Sequence, residues 1–463
     1  MTTTLGHSLF KMSKSFYVCK FGAYKTFLLN WFNLSFRLNK YPLKLAKRSL
    51  EHITMIPESE YDDYVIKQRQ KIFDHHFKTT DFYKKFCNGT QPERWEDIPV
   101  LTKSDLQVPL GTRLSSDFKL KNVYVNKTSG SSGHPFTFAK DKFCHALTWA
   151  NIIQKFGWYG IDFNTSYQAR FYGIPLGNMG YYKERLKDKL TRRYRFPIFN
   201  LTDMVFSKYL EHFKTKKFDY LNGYTSSLVL FARYLKENNL ILKDICPTLK
   251  VCMTTSEMLF EDDKLLLQSY FGIPIVNEYG ASEVDIIAFE NTKGQWQLNT
   301  ETLYVEVLDA KNNRLPNGSE GRLVVTSLYN RAHPFIRYEI GDVGIITEKS
   351  NSKFMYLSKL VGRTNDVAKL PSGKIVPGLT FYYVTKSIIS DEAQVKEFVI
   401  TQTKGDTFKI TYVAETALSE NLKKAIKKVF NKYLEPGLVI NFTKVEYLKR
   451  GQSGKLKQFN AEL

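Results

Sequence analysis

Hydrophobic residues recur every three or four positions along several stretches of the chain, and this spacing predicts amphipathic helices. Residues 5–90 are predicted to be mainly helical, as in YDDYVIKQRQKIFDHHFKTT (61–80). A second stretch, SENLKKAIKKVFNKYL (419–434), begins with Ser419, a residue type that caps helices. The apolar face of that helix would carry Leu422, Ile426, Phe430 and Tyr433.

From about residue 95 onward, short apolar strands alternate with helical stretches. KFDYLNGYTSSLVLFARYLKENN (217–239) gives a strand, a turn and a helix, and residues 248–283 repeat the pattern through IPIVNEYGASE. Such alternation predicts a parallel sheet, whose ligands bind beyond the carboxyl ends of the strands. Residues 304–328, with NNRLPNGSEG as a hairpin loop, and residues 335–347 predict a β-rich part.

A chain of 463 residues exceeds what one hydrophobic core usually serves, so at least two domains are expected. The Gly-, Pro- and Ser-rich stretch LVGRTNDVAKLPSGKIVPG (360–378) marks a boundary, and a hairpin, a helix and a strand follow it. We therefore predict an α/β protein. Its large N-terminal domain, residues 1–361, has parallel-type sheets flanked by helices and a β-rich subdomain, and its small, mobile α+β domain spans residues 362–463.

Several classes of protein are disfavoured by the composition. No apolar run approaches the roughly 20 residues that span a bilayer. The five cysteines form no C-x-x-C pair and the eight histidines show no H-x-x-x-H spacing, which argues against a disulfide framework or a zinc site. A cytoplasmic protein is expected.

The net charge of +21 is unevenly distributed along the chain. Residues 1–50 contain nine Lys or Arg and no Asp or Glu, and KERLKDKLTRRYRF (183–196) has seven basic residues against two acids. Such patches favour polyanions, although a solvated lysine-rich surface explains them equally well. One hypothesis is peripheral contact of the N-terminus with an anionic membrane or a polysaccharide-synthesis complex. No nucleic-acid-reading motif is present, so no nucleic acid partner is expected.

The loop KTSGSSGHPF (127–136) stands between two predicted strands and is rich in glycine and hydroxyl groups. It is not a Walker A loop, because no Lys follows Gly133. Glycines nevertheless let backbone N–H groups approach an anion closely, and hydroxyls add donors to phosphate oxygens. The loop is a candidate phosphate site, although many loops of this composition are ordinary surface turns.

Five motifs in a fixed order give the loop a context. They are TSGSSGHP (128–135), NEYGASE (277–283), RYEIGDVG (337–344), GRTND (362–366) and GKLKQF (454–459). Over residues 75–463 the chain thereby resembles the adenylate-forming superfamily of acyl-CoA synthetases, luciferases and adenylation domains. HFKTTDFYKKF (76–86), PVLTKSDL (99–106) and LPSGK (370–374) resemble the phenylacetate–CoA ligase family, in its branch tied to capsular polysaccharide synthesis.

The resemblance implies a site for ATP and Mg²⁺. Tyr279 would stack on adenine, Asp342 would bind the ribose hydroxyls, and Arg363 would lie near ribose and phosphate. Ser282, Glu283 and Lys455 would be catalytic, with Glu283 holding Mg²⁺ and Lys455 reaching the α-phosphate. The remaining residues implied to bind the nucleotide are Thr128, Ser129, Gly130, Ser131, Ser132, Gly133, Glu257, Asn277, Glu278 and Gly280.

The sequence departs from the superfamily pattern at three places. Phe136 stands where a lysine usually ends the phosphate loop, Ser282 replaces the usual Thr, and the hinge acid is Asn365 or its neighbour Asp366. Phe136 removes one positive charge, which basic residues elsewhere would have to supply. The resemblance also implies that the small domain adopts one pose for adenylation and another for acyl transfer.

Three functions stay open at this point. The first is a ligase that joins a small-molecule carboxylate to coenzyme A through an acyl-adenylate. The second transfers the acyl group to an amine of a sugar or amino acid, in surface polysaccharide synthesis. The third is a basic polyanion-binding protein without catalysis, which the retention of Glu283, Asp342 and Lys455 makes the weakest of the three.

Overall fold

A computed structural model of the chain describes residues 31–128, 136–173, 178–198, 201–363, 367–377, 381, 385, 395–450 and 456–462. The helices within these ranges are α1 Trp31–Leu38, α2 Leu43–Met55, α3 Glu58–Thr79, α4 Asp81–Phe86, α5 Leu110–Arg113, α6 Lys142–Gly157, α7 Asn178–Leu190, α8 Asp203–Thr215, α9 Thr225–Glu237, α10 Leu242–Ile245, α11 Glu261–Phe271 and α12 Glu420–Tyr433. Three short 3₁₀ helices span Trp95–Asp97, Asp105–Gln107 and Leu120–Asn122.

The strands form five sheets. Their bounds are β1 Tyr124–Lys127, β2 Thr137–Lys140, β3 Gln168–Phe171, β4 Arg193–Phe196, β5 Tyr220–Tyr224, β6 Val251–Thr255, β7 Ile275–Ala281, β8 Asp285–Glu290, β9 Trp296–Leu298, β10 Leu303–Leu308, β11 Glu320–Ser327, β12 Tyr338–Ile346, β13 Leu357–Arg363, β14 Val367–Lys369, β15 Ile375–Pro377, β16 Val395–Lys404, β17 Thr407–Ala414, β18 Val439–Lys444 and β19 Phe459–Ala461.

The largest sheet has seven strands in the order β4-β3-β5-β6-β7-β8-β9. The first five run parallel, and β8 and β9 continue the sheet antiparallel. Its central strands are buried throughout, as expected for a parallel sheet covered on both faces. Helices α8, α9 and α11 supply one cover, where Phe206, Phe231 and Phe271 enter a continuous aromatic core. The carboxyl ends of β3, β5, β6 and β7 therefore meet at one edge.

A four-stranded antiparallel sheet, β10-β11-β12-β13, forms the β-rich part. Its core is shared with β2 and β7, because Phe138, Tyr279, Val325 and Tyr338 pack in one cluster. Strands β1 and β2 flank the glycine loop and pair antiparallel in a separate two-stranded sheet. Among the described strands, β1 and β2 are not hydrogen-bonded to the main sheet, whose first strand along the chain is β3.

The C-terminal unit, defined here as residues 395–462, has its own sheet, with strand order β18-β17-β16-β19. Strands β16 and β17 form the expected hairpin with Gly405 and Asp406 at the turn. Helix α12 packs on this sheet through Leu422, Ile426 and Phe430, and the Ser419 hydroxyl accepts its capping hydrogen bond from the Leu422 N–H.

The predicted fold class is confirmed, since the chain combines a parallel-containing sheet flanked by helices with a β-rich part and a compact α+β unit. The division at residues 361 and 362 stays a prediction. Within the described part of the chain, no helix is long and apolar enough to cross a membrane.

Candidate functional site

Two hydrogen bonds join Thr128 and Phe136, the residues on either side of the glycine loop. The Thr128 N–H donates to the Phe136 carbonyl at 3.0 Å, and the Phe136 N–H donates to the Thr128 hydroxyl at 3.1 Å. Phe136 itself is buried in the core shared by the main sheet and the β-rich part. Phe136, at one end of the loop, thus lies in that core, and the predicted phosphate-binding residues Ser129 to Gly133 lie outside the described residues.

The NEYGASE motif forms the end of β7 and the turn into β8. Gly280 is required there by a close approach of two backbones, since a Cβ at this position would lie 2.5 Å from the Asp285 carbonyl oxygen. Lys140, which is buried, donates to the Ser282 carbonyl at 3.2 Å and forms an ion pair with Asp285. The turn is thereby fixed, and the exposed Ser282 stands at its tip.

Glu283 follows in the same turn and is buried, with 8% of its surface exposed. The Tyr338 hydroxyl donates to Glu283 Oε1 at 3.1 Å. Burial raises the pKa of the Glu283 carboxyl, while the charges of Lys140 and Lys103 act in the opposite direction. A cation placed against this carboxylate would offset the cost of burying its charge.

Glu283 fits the predicted Mg²⁺ site as a single protein ligand. Among the described residues, no group of three His, Cys, Asp or Glu side chains is arranged to hold a metal. Mg²⁺ commonly takes one or two carboxylates and fills its other positions with substrate phosphates and water. The single carboxylate of Glu283 is therefore compatible with a Mg²⁺ ion whose other ligands are nucleotide phosphates and water.

Tyr279 and Asp342 are joined across two sheets. The Tyr279 hydroxyl donates to Asp342 Oδ2 at 2.6 Å, and both side chains are buried. The Tyr279 ring packs edge-on against Trp296 at 6.0 Å between centroids. On the next strand, Arg363 is the backbone register partner of Asp342. The predicted adenine and ribose residues are thus hydrogen-bonded to each other, and the backbone of Arg363, predicted to lie near ribose and phosphate, pairs beside Asp342 although 84 positions separate residue 279 from residue 363.

Asn277 and Glu278, the first two residues of the motif, form hydrogen bonds with residues other than Tyr279 and Asp342. The Asn277 N–H donates to Glu290 at 3.1 Å. Glu278 accepts a 2.9 Å hydrogen bond from the Thr255 hydroxyl on β6, and burial raises the pKa of its carboxyl. The carboxylate of Glu278 therefore lies over the carboxyl ends of the parallel strands.

Glu257 lies in the loop after β6 and contacts the C-terminal unit. Its Oε2 accepts from the Ser226 N–H at 2.7 Å and its Oε1 accepts from the Leu456 N–H at 2.8 Å. Leu456 directly follows Lys455, which lies outside the described residues together with Asn365 and Asp366. A place for Glu257 beside adenine stays a prediction, and the structure adds a contact that sequence reasoning did not find.

Two arginines make further contacts between the C-terminal unit and the rest of the chain. Arg450 donates to the Ser226 hydroxyl at 2.8 Å and pairs with Glu397, a contact made within the unit. Arg233 on α9 donates to the carbonyls of Val395 and Lys396 at 2.6 and 2.7 Å. Burial raises the pKa of Glu397 despite the Arg450 charge beside it.

Sequence reasoning also missed two lysines at the site. Lys103 Nζ lies 6.0 Å from the centroid of the Phe136 ring, and its charge acts on Glu283. Lys140 anchors the Ser282 carbonyl, as described above. Lys103 belongs to PVLTKSDL, which resembles the phenylacetate–CoA ligase family, so its sequence context could have marked it as a candidate site residue. Lys140 carried none, because its partners lie about 140 positions away.

The chain is similar to known proteins both in sequence and in fold. No protein-family model matches the chain. Over 312 residues the chain is 25% identical to Protein CapK from Staphylococcus aureus, a match that covers 64% of each chain. It is 28% identical over 138 residues to a phenylacetate-coenzyme A ligase from Aromatoleum evansii, covering 28% of this chain and 31% of that protein. The matches thus span less than two thirds of these relatives.

Solved structures share the fold over more of the chain. A 2-hydroxyisobutyryl-CoA ligase in its postadenylation state, in complex with R3-HIB-AMP, superposes with a TM-score of 0.67 at 18% identity, covering 87% of this chain and 90% of that one. The same ligase in its thioesterification state, in complex with 2-HIB-AMP and CoA, gives a TM-score of 0.54 over 88% of this chain and 91% of that one.

Proposed function

Because this chain belongs to the adenylate-forming superfamily, we propose that it is an AMP-forming ligase. It would activate a carboxylic acid with ATP to an acyl-adenylate and then transfer the acyl group to coenzyme A or to an amine. The observation that carries this proposal is the hydrogen bond between Tyr279 and Asp342, because it joins two of the five motifs next to the turn that holds Glu283.

The first step joins two anions, so the site must neutralise charge and align the reactants. A carboxylate oxygen of the acid attacks the α-phosphorus, the bond from that phosphorus to the bridging oxygen breaks, and pyrophosphate leaves. Mg²⁺ held by Glu283 supplies positive charge to the phosphates when bound. Asp342 accepts hydrogen bonds from the ribose hydroxyls, and Ser282 contacts the α-phosphate. Lys455 supplies a positive charge at the carboxylate oxygen that comes to link the acyl carbon to the α-phosphorus.

Lys103 replaces part of the positive charge that the phosphate loop lacks at Phe136. Lys103 lies beside the Phe136 ring, and both Lys103 and Lys140 act electrostatically on Glu283. Lys140 is neutralised by Asp285 and serves to position the turn. Lys103 is therefore the better candidate for a direct contact with the β- or γ-phosphate.

The described arrangement of the C-terminal unit is proposed to be the adenylating one. It superposes better on the postadenylation structure than on the thioesterification structure, with TM-scores of 0.67 and 0.54. It also brings Leu456, the neighbour of Lys455, to Glu257 in the loop after β6. Acyl transfer would follow after the unit turns, a hinge movement of known type, with Asn365 or Asp366 as the pivot close to the boundary between residues 361 and 362.

The acceptor is proposed to be coenzyme A, in line with the names of the relatives. Transfer to an amine, without coenzyme A, is the alternative, and relationship to Protein CapK is consistent with a role in surface polysaccharide synthesis. The non-catalytic polyanion-binding alternative loses support, because Arg193 and Arg195 of the basic stretch 183–196 are engaged by Asp188 at 2.6 and 3.0 Å.

A cytoplasmic location and peripheral docking through the N-terminus are also proposals. Helices α1 and α2 expose Trp31, Leu38 and Leu45 beside Arg37 and Lys44. Apolar and basic residues together suit an anionic surface, where each basic residue contributes about 1 kcal/mol. Flotation with phosphatidylserine vesicles at low and high salt tests this, and absence of the protein from the lipid fraction at both would refute it.

Acid-dependent ATP–pyrophosphate exchange tests the proposed function. The purified chain would be incubated with ATP, Mg²⁺ and labelled pyrophosphate over a panel of aliphatic and aromatic acids. Label should enter ATP only with accepted acids, and addition of coenzyme A should give an acyl thioester. Exchange followed by acylation of an amine would favour the alternative acceptor, and absence of exchange with every acid would refute the ligase.

A further inference from the structure

A row of polar and aromatic side chains crosses the carboxyl edge of the parallel strands. Tyr224, Thr255 and Glu278 are successive register partners on β5, β6 and β7, so their side chains share one face of the sheet. Tyr172 follows the end of β3, and its ring lies 4.6 Å from that of Tyr224. We refer to Tyr172, Tyr224, Thr255 and Glu278, together with Arg170, as the edge row.

Two opposite charges stand in the edge row without touching. Arg170 lies two residues before Tyr172 on the same face, with its guanidinium 4.2 Å from the Tyr172 ring centroid. Its Nε is buried without a hydrogen-bond partner. Glu278 is half-buried and bonds to Thr255. Within the described part of the chain no salt bridge joins Arg170 to Glu278, although the Arg170 charge lowers the pKa of Glu278 against the larger effect of burial.

The edge row adjoins the nucleotide residues. Glu278 directly precedes Tyr279 and stands five positions before Glu283, and the charge of Glu257 acts on Tyr224 from the other side. Ligands of open α/β sheets bind outside the carboxyl ends of the strands. A carboxylic acid that must reach the α-phosphate would therefore extend over these side chains.

We propose that Arg170 and Glu278 are specificity-determining residues that select a carboxylic acid bearing an uncharged hydroxyl group. This inference rests on the proposed ligase function and names its class of substrate. A hydroxyl carries both a donor hydrogen and acceptor lone pairs, so it would donate to Glu278 or accept from Arg170 without being repelled by either charge. An ammonium group would be repelled by Arg170 and a second carboxylate by Glu278, and an alkyl chain would leave the buried Arg170 Nε without a hydrogen-bond partner.

The comparison with an alkyl chain sets the expected preference for a hydroxy acid over its parent acid. Sites built to hydrogen-bond a substrate hydroxyl reject the analogue that lacks it by roughly 10⁴- to 10⁵-fold, whereas an apolar pocket distinguishes one methylene by only about 10- to 200-fold. We therefore expect kcat/KM for the hydroxy acid to exceed that for its parent acid by roughly 10²-fold or more.

Two matched series of acids provide the test in pyrophosphate exchange. One consists of butyrate, γ-hydroxybutyrate, γ-aminobutyrate and glutarate, and the other of benzoate, para-hydroxybenzoate, para-aminomethylbenzoate and terephthalate. The variants are Glu278→Gln, Arg170→Gln and Arg170→Lys, with Glu237→Gln at the exposed end of α9 as the matched control. In at least one series the hydroxy acid should be preferred, and Glu278→Gln and Arg170→Gln should reduce that preference at least tenfold.

Arg170→Lys should restore part of the preference, and Glu237→Gln should leave it unchanged. The KM for ATP distinguishes this role from nucleotide binding, since a raised KM for ATP with an unchanged preference in Glu278→Gln would overturn the inference. Preference for the alkyl, ammonium or dicarboxylate member would also overturn it and leave the ligase intact. Absence of exchange with all eight acids, after the wider screen had failed too, would remove the ligase and the inference together.

Discussion

The backbone N–H of Leu456 donates a 2.8 Å hydrogen bond to Glu257 Oε1, although the two residues are 199 positions apart. The other oxygen of that carboxylate accepts from the Ser226 N–H at the start of α9. One side chain thus ties the segment after Lys455 to the edge of the main sheet. This relationship links the position of the C-terminal unit to the site where adenylation is proposed to occur.

Glu257→Gln should reduce pyrophosphate exchange by about tenfold at saturating ATP, because a hydrogen bond to a charged group contributes about 1.5–3 kcal/mol and the amide retains part of it. Acyl transfer from a separately supplied acyl-adenylate should stay near the wild-type rate. Lys455→Ala serves as the reference for full loss of the first step. A raised KM for ATP with an unchanged maximal exchange rate would instead support the position of Glu257 beside adenine.

Arg450→Ala should also impair exchange more than acyl transfer. The change removes the hydrogen bond to Ser226 and leaves Glu397 without its partner, and losing one member of a buried pair costs about 3–5 kcal/mol. Lys449→Ala, one position earlier and exposed, is the matched control. Equal loss in both assays would show that Arg450 stabilises the C-terminal unit alone, and wild-type behaviour in both would exclude a role in holding this arrangement.

Local sequence predicted much of the fold. Ser419, the spacing of Leu422 and Ile426, and the Gly-Asp turn of β16 and β17 specify their elements through near neighbours, and the structure has all of them. The separate β1–β2 sheet was not predicted, because the VYV stretch shows the same apolar pattern whichever strand it pairs with. Strand pairing is decided by tertiary packing, which one short stretch does not encode.

The residues of the candidate site likewise fall into those that the local sequence predicted and those that it did not. Motif residues such as Tyr279 and Asp342 were found because they stand in recognisable local patterns, although their hydrogen bond was not foreseen. Lys140 and Arg450 were missed because each acts through a partner more than 50 positions away, so nothing around them in sequence marks their role. Tyr338 stands in the motif RYEIGDVG, but its hydrogen bond to Glu283, 55 positions away, was not foreseen. Charge placement in a site depends on the fold more than on spacing.

Glu283→Gln should abolish exchange and yet stabilise the protein in the absence of ATP and Mg²⁺. Burial raises the pKa of Glu283, so the folded state binds the proton more tightly than the unfolded state. Ionisation therefore costs stability above the raised pKa, and the cost disappears below the unfolded value, where both states are protonated. The melting temperature of the variant should exceed that of the wild type at pH 8, and the difference should shrink toward pH 4.

Differential scanning fluorimetry between pH 4 and pH 8 measures this difference. A variant that is less stable than the wild type at every pH would show that Glu283 is favourably paired without a metal, through Tyr338 or Lys140. Exchange at the wild-type rate would contradict its assignment as the Mg²⁺ ligand.

Lys103→Ala should lower kcat/KM for ATP by roughly 10²-fold, since one charge-assisted contact to a phosphate contributes a few kcal/mol. Lys103 lies 6.0 Å from the Phe136 ring, where the usual loop lysine is missing. The exposed Lys121 provides the control Lys121→Ala. The double change Lys103→Ala with Phe136→Lys should recover part of the lost activity. A wild-type kcat/KM for ATP in Lys103→Ala alone would exclude compensation by Lys103.

Transfer of labelled oxygen tests the central claim most directly. The acid that gives the fastest exchange would be supplied with ¹⁸O in its carboxylate, together with ATP and coenzyme A or the accepted amine. Attack of the carboxylate on the α-phosphorus predicts one ¹⁸O atom in each AMP released, with unlabelled pyrophosphate. Unlabelled AMP, or ADP with ¹⁸O in inorganic phosphate, would contradict the account, because the acid would then not have been activated as an acyl-adenylate.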